Sequence, residues 1–506
     1  MAHVQAFFPS FSSLPLLVSS GYFSCSMNIL VFNIARMGDL IESIPAMITL
    51  RHTHPDAHIT LAVLPEYAWP AGLIPGIDAI CYFDTRKPLQ PFCEPSYDAI
   101  YNFSYSTLAA QVLSRIAAPQ RIGMLLTAAG RPQFSDPATA YLWNFINTPG
   151  APIFNFSDLL RHSVAAGPME PAFYLKEGAA NPALGSGILA QHGIDQRRPL
   201  VCMQTTAADP YRAVHEDVFA EAGRFLSGHC QVAVLAAPAE RTRAERIAKR
   251  AGAIPLVCDL DGLLGVLCHT ALLVTCNTGP MHLAAATGVR CLVLSCGTSQ
   301  PAFDGPYGHG HVILSAAREC HPCRQGMRCN DPVCTRDFDP ATVAAAALSM
   351  VQGGPLPDPA RMFATHCGQC GCWLNGHYHA ARRFLLSVIG AMPIVACGEE
   401  ERGAVPEEIS QFARLVADGT SMLRQAIAAM QQGPQRQTLV DIAAAIKSID
   451  EHVARISFKD KQWQSVVGFY KALVENCVAE RPWEMLRELY AVFTLYNARL
   501  QELIGD

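Results

Sequence analysis

The stretch Asn277-Thr278-Gly279-Pro280-Met281-His282 lies between an apolar run ending at Cys276 and the small residues Leu283 to Ala286. An apolar run, a polar turn and a small-residue helix make a strand-to-helix junction. Pro280 suits the first turn of a helix, where its missing N–H costs little, and Thr278 or Gly279 suits the cap. Free N–H groups and the helix dipole at such a start attract an anion. The stretch reads equally as an ordinary capped helix or as a cradle for a phosphate. A second junction, Met37-Gly38-Asp39, follows the apolar run Ile29 to Phe32. Asp39 either caps its helix or turns a carboxylate toward a cleft, where it can take a proton from a hydroxyl.

Four cysteines, Cys320, Cys323, Cys329 and Cys334, are spaced C-x2-C-x5-C-x4-C. One close pair and two further thiolates suit a tetrahedral zinc or iron that braces a loop, rather than a reacting metal. The alternative is four reduced thiols in a packed loop. The segment His366 to Trp373 holds three more cysteines, spaced too tightly for zinc, and reads as a Gly-rich linker. Asp259-Leu260-Asp261-Gly262 imitates a metal-binding acidic pair but falls between a strand and a short helix, so it reads as a turn. His309 and His311 read as members of a polar loop.

Positioning these groups requires strands and helices in alternation. Residues 27–185 and 195–350 each carry such a series, which predicts two Rossmann-like α/β lobes with parallel sheets and a cleft between them. Within the first lobe, residues 120 to 185 are rich in Pro, Gly and aromatics and read as irregular loops. From 375 to 506 the apolar spacing becomes helical, which predicts a bundle suited to self-association or docking. Residues 1–26 are apolar without Lys or Arg and read as a disordered or mis-started extension. The chain has 506 residues, 50% hydrophobic and 16% charged, with a net charge of -5. That balance argues against disorder and against nucleic acid as the main partner. Nineteen cysteines, scattered through apparent strands and helices, fit a reducing compartment.

Four segments together resemble glycosyltransferase family nine, the heptosyltransferases of bacterial lipopolysaccharide core assembly: MGDLIESIPAM, NTGPMHLAAATG, VRCLVLSCGTSQP and CHPCRQGMRCNDPVC. The resemblance covers about 27 to 350. It implies a GT-B fold, two Rossmann-like domains facing a cleft, and inverting transfer of heptose from ADP-heptose without a catalytic cofactor. Asp39 matches the family's base. Thr278, Gly279, Met281 and His282 match the donor diphosphate and sugar site. Glu240 matches a glutamate near the ribose or base. Two positions depart from the pattern: Asn277 stands where the family has Asp, and Arg212 aligns with a phosphate-binding Lys. A related branch uses a cysteine finger with iron, which extends the resemblance to the four cysteines. The implied setting is cytoplasmic, at the inner face of the inner membrane, with a lipid-linked core saccharide as acceptor. A protein hydroxyl as acceptor, and a degenerate scaffold without catalysis, are the competing readings.

Overall fold

The computed structural model describes residues 27–373, apart from 88–91, 93–95, 128–129, 148–153, 166–171, 324–326, 328, 359–360 and 367–368. It also describes 407–431, 482–505 and scattered positions from 444 to 470. The extension expected at 1–26 lies outside the described residues, as does most of the helical tail between 432 and 481.

The first lobe is a six-stranded sheet: β1 (Asn28–Phe32), β2 (His58–Val63), β3 (Ala79–Tyr82), β4 (Ala99–Asn102), β5 (Gln120–Leu126) and β6 (Pro132–Phe134). Their order is β3-β2-β1-β4-β5-β6. All neighbours are parallel except β5 and β6. Ile29 of β1 stands beside Ile59 on one side and Ala99 on the other, all three fully buried. Runs apolar on both faces fit a central parallel sheet covered by helices.

The second lobe has β7 (Leu200–Gln204), β8 (Gln231–Ala236), β9 (Ile254–Val257), β10 (Leu272–Cys276), β11 (Cys291–Ser295), β12 (Val312–Ser315), β13 (Met362–His366) and β14 (Gln369–Trp373). The order is β14-β13-β12-β11-β10-β7-β8-β9. The six strands β7 to β12 pair in parallel, while β13 and β14 add an antiparallel hairpin. Chain order reverses between β1 and β4 in one sheet and between β7 and β10 in the other. Open α/β sheets bind ligands at such switch points, beyond the carboxyl ends of the strands. The loops after β1, β7 and β10 therefore occupy the places where this architecture holds a ligand.

The two expected α/β lobes are present, but three local expectations are not met. The stretch from 120 to 185 is not irregular, since it holds β5, β6 and the helices Pro137–Asn147 and Phe156–Val164. Ser135 and Asp136 organise its corner: Asp136 accepts from the backbone N–H and hydroxyl of Thr139 at 2.9 and 2.6 Å. The described part of the segment from His366 to Trp373 is strand, not linker, because its backbone pairs with β13. His311 is not in an open polar loop. It is buried, and its Nδ1 accepts the N–H of Cys291 at 3.1 Å. Burial, aided by nearby positive charge, pulls its pKa down to about 4.

In the tail, the helices Glu407–Gln431 and Pro482–Gly505 pack together. Phe412, Tyr470, Phe493 and Tyr496 are buried between them with edge-on ring contacts. Their cluster is continuous with Tyr141 and Leu142 of the first lobe.

Candidate active site

β1 ends at Phe32, and the chain then turns through Asn33, Ile34 and Arg36 into the short helix Met37–Glu42. Ser104 holds this turn by accepting the Ile34 N–H at 2.7 Å. Asp39 sits in the helix's first turn and accepts the Arg36 N–H at 3.1 Å. One carboxylate oxygen of Asp39 is therefore engaged at the helix start, as the capping reading expects. Loss of water raises the Asp39 pKa above its ordinary value, against the Arg36 N–H and the charges of Arg36 and Arg212.

Across from it, β10 ends in Cys276 and the helix Gly279–Ala286 begins. Thr278 is its cap residue by backbone position, yet its hydroxyl makes no capping bond. It donates instead to Gln204 Oε1 at 3.2 Å, beside Thr275, which donates to the same oxygen at 2.9 Å. Gln204, the last residue of β7, thus ties the two switch-point strands together.

The two loops meet directly. A Cβ on Gly38 would come within 3.3 Å of the His282 ring, and one on Gly279 would overlap the Met37 methyl. Glycine at both places permits this approach. His282 is buried, with Nε2 3.8 Å from Glu42 Oε2. Burial drops its pKa to about 3, aided by the Arg212 charge. Burial, with Asp39 and Asp304 adding repulsion, pushes Glu42 well above the carboxylate range. Burial thus favours the neutral form of each group in this contact. Glu42 Oε1, His282 Nδ1 and both amide atoms of Asn33 are buried without a hydrogen-bond partner.

Arg212 lies beside them on the loop after β7. Its Nε donates to Thr298 Oγ1 at 2.8 Å, its Nη1 to Asn277 Oδ1 at 3.2 Å, and its Nη2 pairs with Asp304 Oδ2 at 3.0 Å. Asn277 in turn donates to Asp304 Oδ1 at 2.7 Å. The amide at 277 therefore bridges cation and carboxylate, a task that needs both a donor and an acceptor. Burial raises the Asp304 pKa, opposed mainly by Arg212.

A cavity of about 510 Å³ opens next to this cluster, lined by Gln204, Leu235, Pro238, Glu240, Asp259 and Pro280 among others. Glu240 Oε2 accepts the Ala237 N–H at 3.2 Å. Asp259 caps the helix Leu260–Leu267 by accepting the Gly262 N–H at 2.8 Å, so the stretch read as a turn is a helix cap and first turn.

Of the residues expected at a donor site, Arg212, Asn277, Thr278, Gly279 and His282 are brought together opposite Asp39. Glu240 lines the adjoining cavity. Met281 is fully buried in the core instead. Glu42, Asp304 and Gln204 were not anticipated. Glu42 had a signal: an acidic residue in the apolar stretch Leu40-Ile41-Glu42, three residues after Asp39 and so on its helical face.

The four cysteines lie near one another: burial raises the Cys323 pKa, and Cys320, Cys334 and Cys329 add to it. Cys320 and Cys329 are exposed, while Cys334 is buried. A hydrogen bond from Cys296, at the end of β11 and outside the motif, draws the Cys334 pKa down to about 6 and pushes Cys296 up. Among the described residues, no group of three or more His, Cys, Asp or Glu side chains is arranged to hold a metal ion.

Two Rossmann-like lobes, with strand-end loops meeting across the seam, define the GT-B architecture. Residues 168–333 match the model of glycosyltransferase family 9 (heptosyltransferase). The chain is 31% identical over 131 residues to lipopolysaccharide heptosyltransferase 1 of Pseudomonas aeruginosa, a match covering 22% of this chain. The chain spans only 36% of the length of that relative. The glycosyl transferase family 9 structure from Veillonella parvula DSM 2008 superposes with a TM-score of 0.51 at 17% identity, covering 65% of this chain and 98% of that one. E. coli ADP-heptose lps heptosyltransferase II gives a TM-score of 0.48 at 18% identity, covering 65% and 99%.

Proposed function

We propose that the protein is an inverting glycosyltransferase that moves heptose from ADP-heptose to a hydroxyl of a lipopolysaccharide core saccharide. The observation that carries this reading is the meeting of the Asp39 turn with the Thr278–His282 turn, beside a cavity that holds Glu240. The named activity of the Pseudomonas relative supports heptose as the sugar and lipopolysaccharide as the acceptor. A lipid-linked acceptor puts the reaction at the cytoplasmic face of the inner membrane. Among the described residues no helix is long and apolar enough to cross a membrane.

In this mechanism the acceptor oxygen attacks the anomeric carbon from the face opposite the diphosphate. The carbon–oxygen bond to phosphate breaks, the hydroxyl proton passes to Asp39, and the nucleoside diphosphate leaves. A carboxylate with a raised pKa is a stronger base. Arg212 exchanges Asp304 for the diphosphate, keeping its charge paired in both states. The first turn of the helix Gly279–Ala286 adds its dipole to the leaving group. His282, neutral, offers a hydrogen bond rather than a charge.

Replacing Asp39 with Ala should abolish transfer to acceptor while ADP still binds, read by product mass and by calorimetry. Unchanged turnover would reject Asp39 as the base.

A further inference from the structure

Nearly all of the cavity wall comes from the second lobe, but one side chain comes from the first. Trp69, on the five-residue helix Ala68–Gly72 after β2, reaches over the seam and lines the cavity. Its indole N–H donates to Asp261 Oδ1 at 3.0 Å, a bond between residues 192 apart in sequence. Asp261 has no capping duty, because Asp259 caps that helix. The indole thus shares the cavity wall with Leu235, Ala236 and Pro238, and with Glu240. Its volume fits a nucleoside, whose base has two apolar faces and whose ribose has hydroxyls for a carboxylate to accept.

We propose that Trp69 and Asp261 form an inter-lobe latch, with the indole as the first-lobe wall against which the nucleoside of the donor packs. The inference rests on the donor reading above and adds to it the residues that couple nucleoside binding to lobe closure. The wall exists only while the lobes are together, so a bound nucleoside favours the closed state and the closed state favours the nucleoside. The phosphate end of the site, at Arg212 and the helix Gly279–Ala286, does not depend on the latch. Trp69 and Asp261 are positioning residues that touch no reacting atom.

The test is calorimetry of the full-length protein with ADP and with inorganic pyrophosphate. Trp69→Phe keeps a ring and removes the donor, and Asp261→Ala removes the acceptor. Each should weaken ADP binding about tenfold, and the double variant no further, because the two residues share one interaction. Pyrophosphate affinity should be unchanged in all three, which general damage to the fold would not spare. Asp261 is exposed at a helix start, so its variant carries the test if the Trp69 variant unfolds. Undiminished ADP affinity in the single variants, losses that multiply in the double, or an equal loss for pyrophosphate would each overturn the latch while leaving the donor reading intact. Wild-type protein that binds none of ADP, UDP, GDP or CDP would overturn the donor reading itself, and the latch with it.

Discussion

Glu42 and His282 respond to burial in opposite senses, and the consequence is measurable. Folding raises the Glu42 pKa, so between its ordinary value of 4.5 and its raised value the native state holds a proton that the unfolded chain has released. Stability then falls as pH rises through that window. Folding lowers the His282 pKa from 6.5 to about 3, so between those values the unfolded chain binds the extra proton. Stability then falls as pH drops below 6.5. Glu42→Gln should gain on wild type progressively above pH 4.5, and His282→Gln progressively below pH 6.5, each by up to about 1.4 kcal/mol per pH unit. Denaturant unfolding at a series of pH values on either side of 4.5 and 6.5 checks both slopes. A variant that tracks wild type at constant separation would show that its group does not change charge on folding. At this scale the sequence was legible where a motif marked the residue, as at Asp39 and His282. Asp304 carried no such mark. Its role comes from standing beside Arg212 in space, although 92 positions separate them in sequence.

The strand-end turns matter as elements because two glycines let them touch. The backbone at Gly279 is not left-handed, so an alanine there meets no conformational penalty and acts only through its methyl group. That methyl would overlap Met37 across the seam. Gly279→Ala should cost about 1–3 kcal/mol by overpacking and reduce transfer by separating the lobes. Adding Met37→Ala should recover part of both losses, because it empties the space the new methyl needs. Thermal unfolding and product formation in the single and double variants give the comparison, and no recovery in the double would place the clash elsewhere. The strand-to-helix character of both junctions was legible from apolar runs broken by Gly-Asp and Thr-Gly-Pro. Their mutual approach was not, since periodicity describes one element at a time. The corner at Ser135 and Asp136 was missed for a related reason. Its Pro-rich and aromatic composition reads as loop, while tertiary burial of Tyr141, Phe154 and Leu159 makes it structure.

On the scale of the whole molecule, alternation of strands and helices announced two lobes, and helical spacing announced a separate tail. What spacing could not convey is that the tail shares a core with the first lobe. Tyr496 and Tyr470 lie in one buried cluster with Tyr141, and burial together with these neighbouring phenols drives the Tyr496 pKa far up. A tail that shares a core melts with the lobe it touches, whereas an independent bundle melts alone. Phe412 tests the distinction. It is fully buried, with ring centroids 5.3 Å from Tyr470 and 6.3 Å from Tyr496. Phe412→Ala should cost about 3–5 kcal/mol through lost burial and the cavity left behind. With a shared core, calorimetry should show the main unfolding transition moving down as one peak. A new low-temperature peak, with the main transition unmoved, would mean that the helices Glu407–Gln431 and Pro482–Gly505 unfold apart from the first lobe. The first lobe carries Asp39, so a single shifted peak also predicts that tail variants lower the temperature at which transfer is lost.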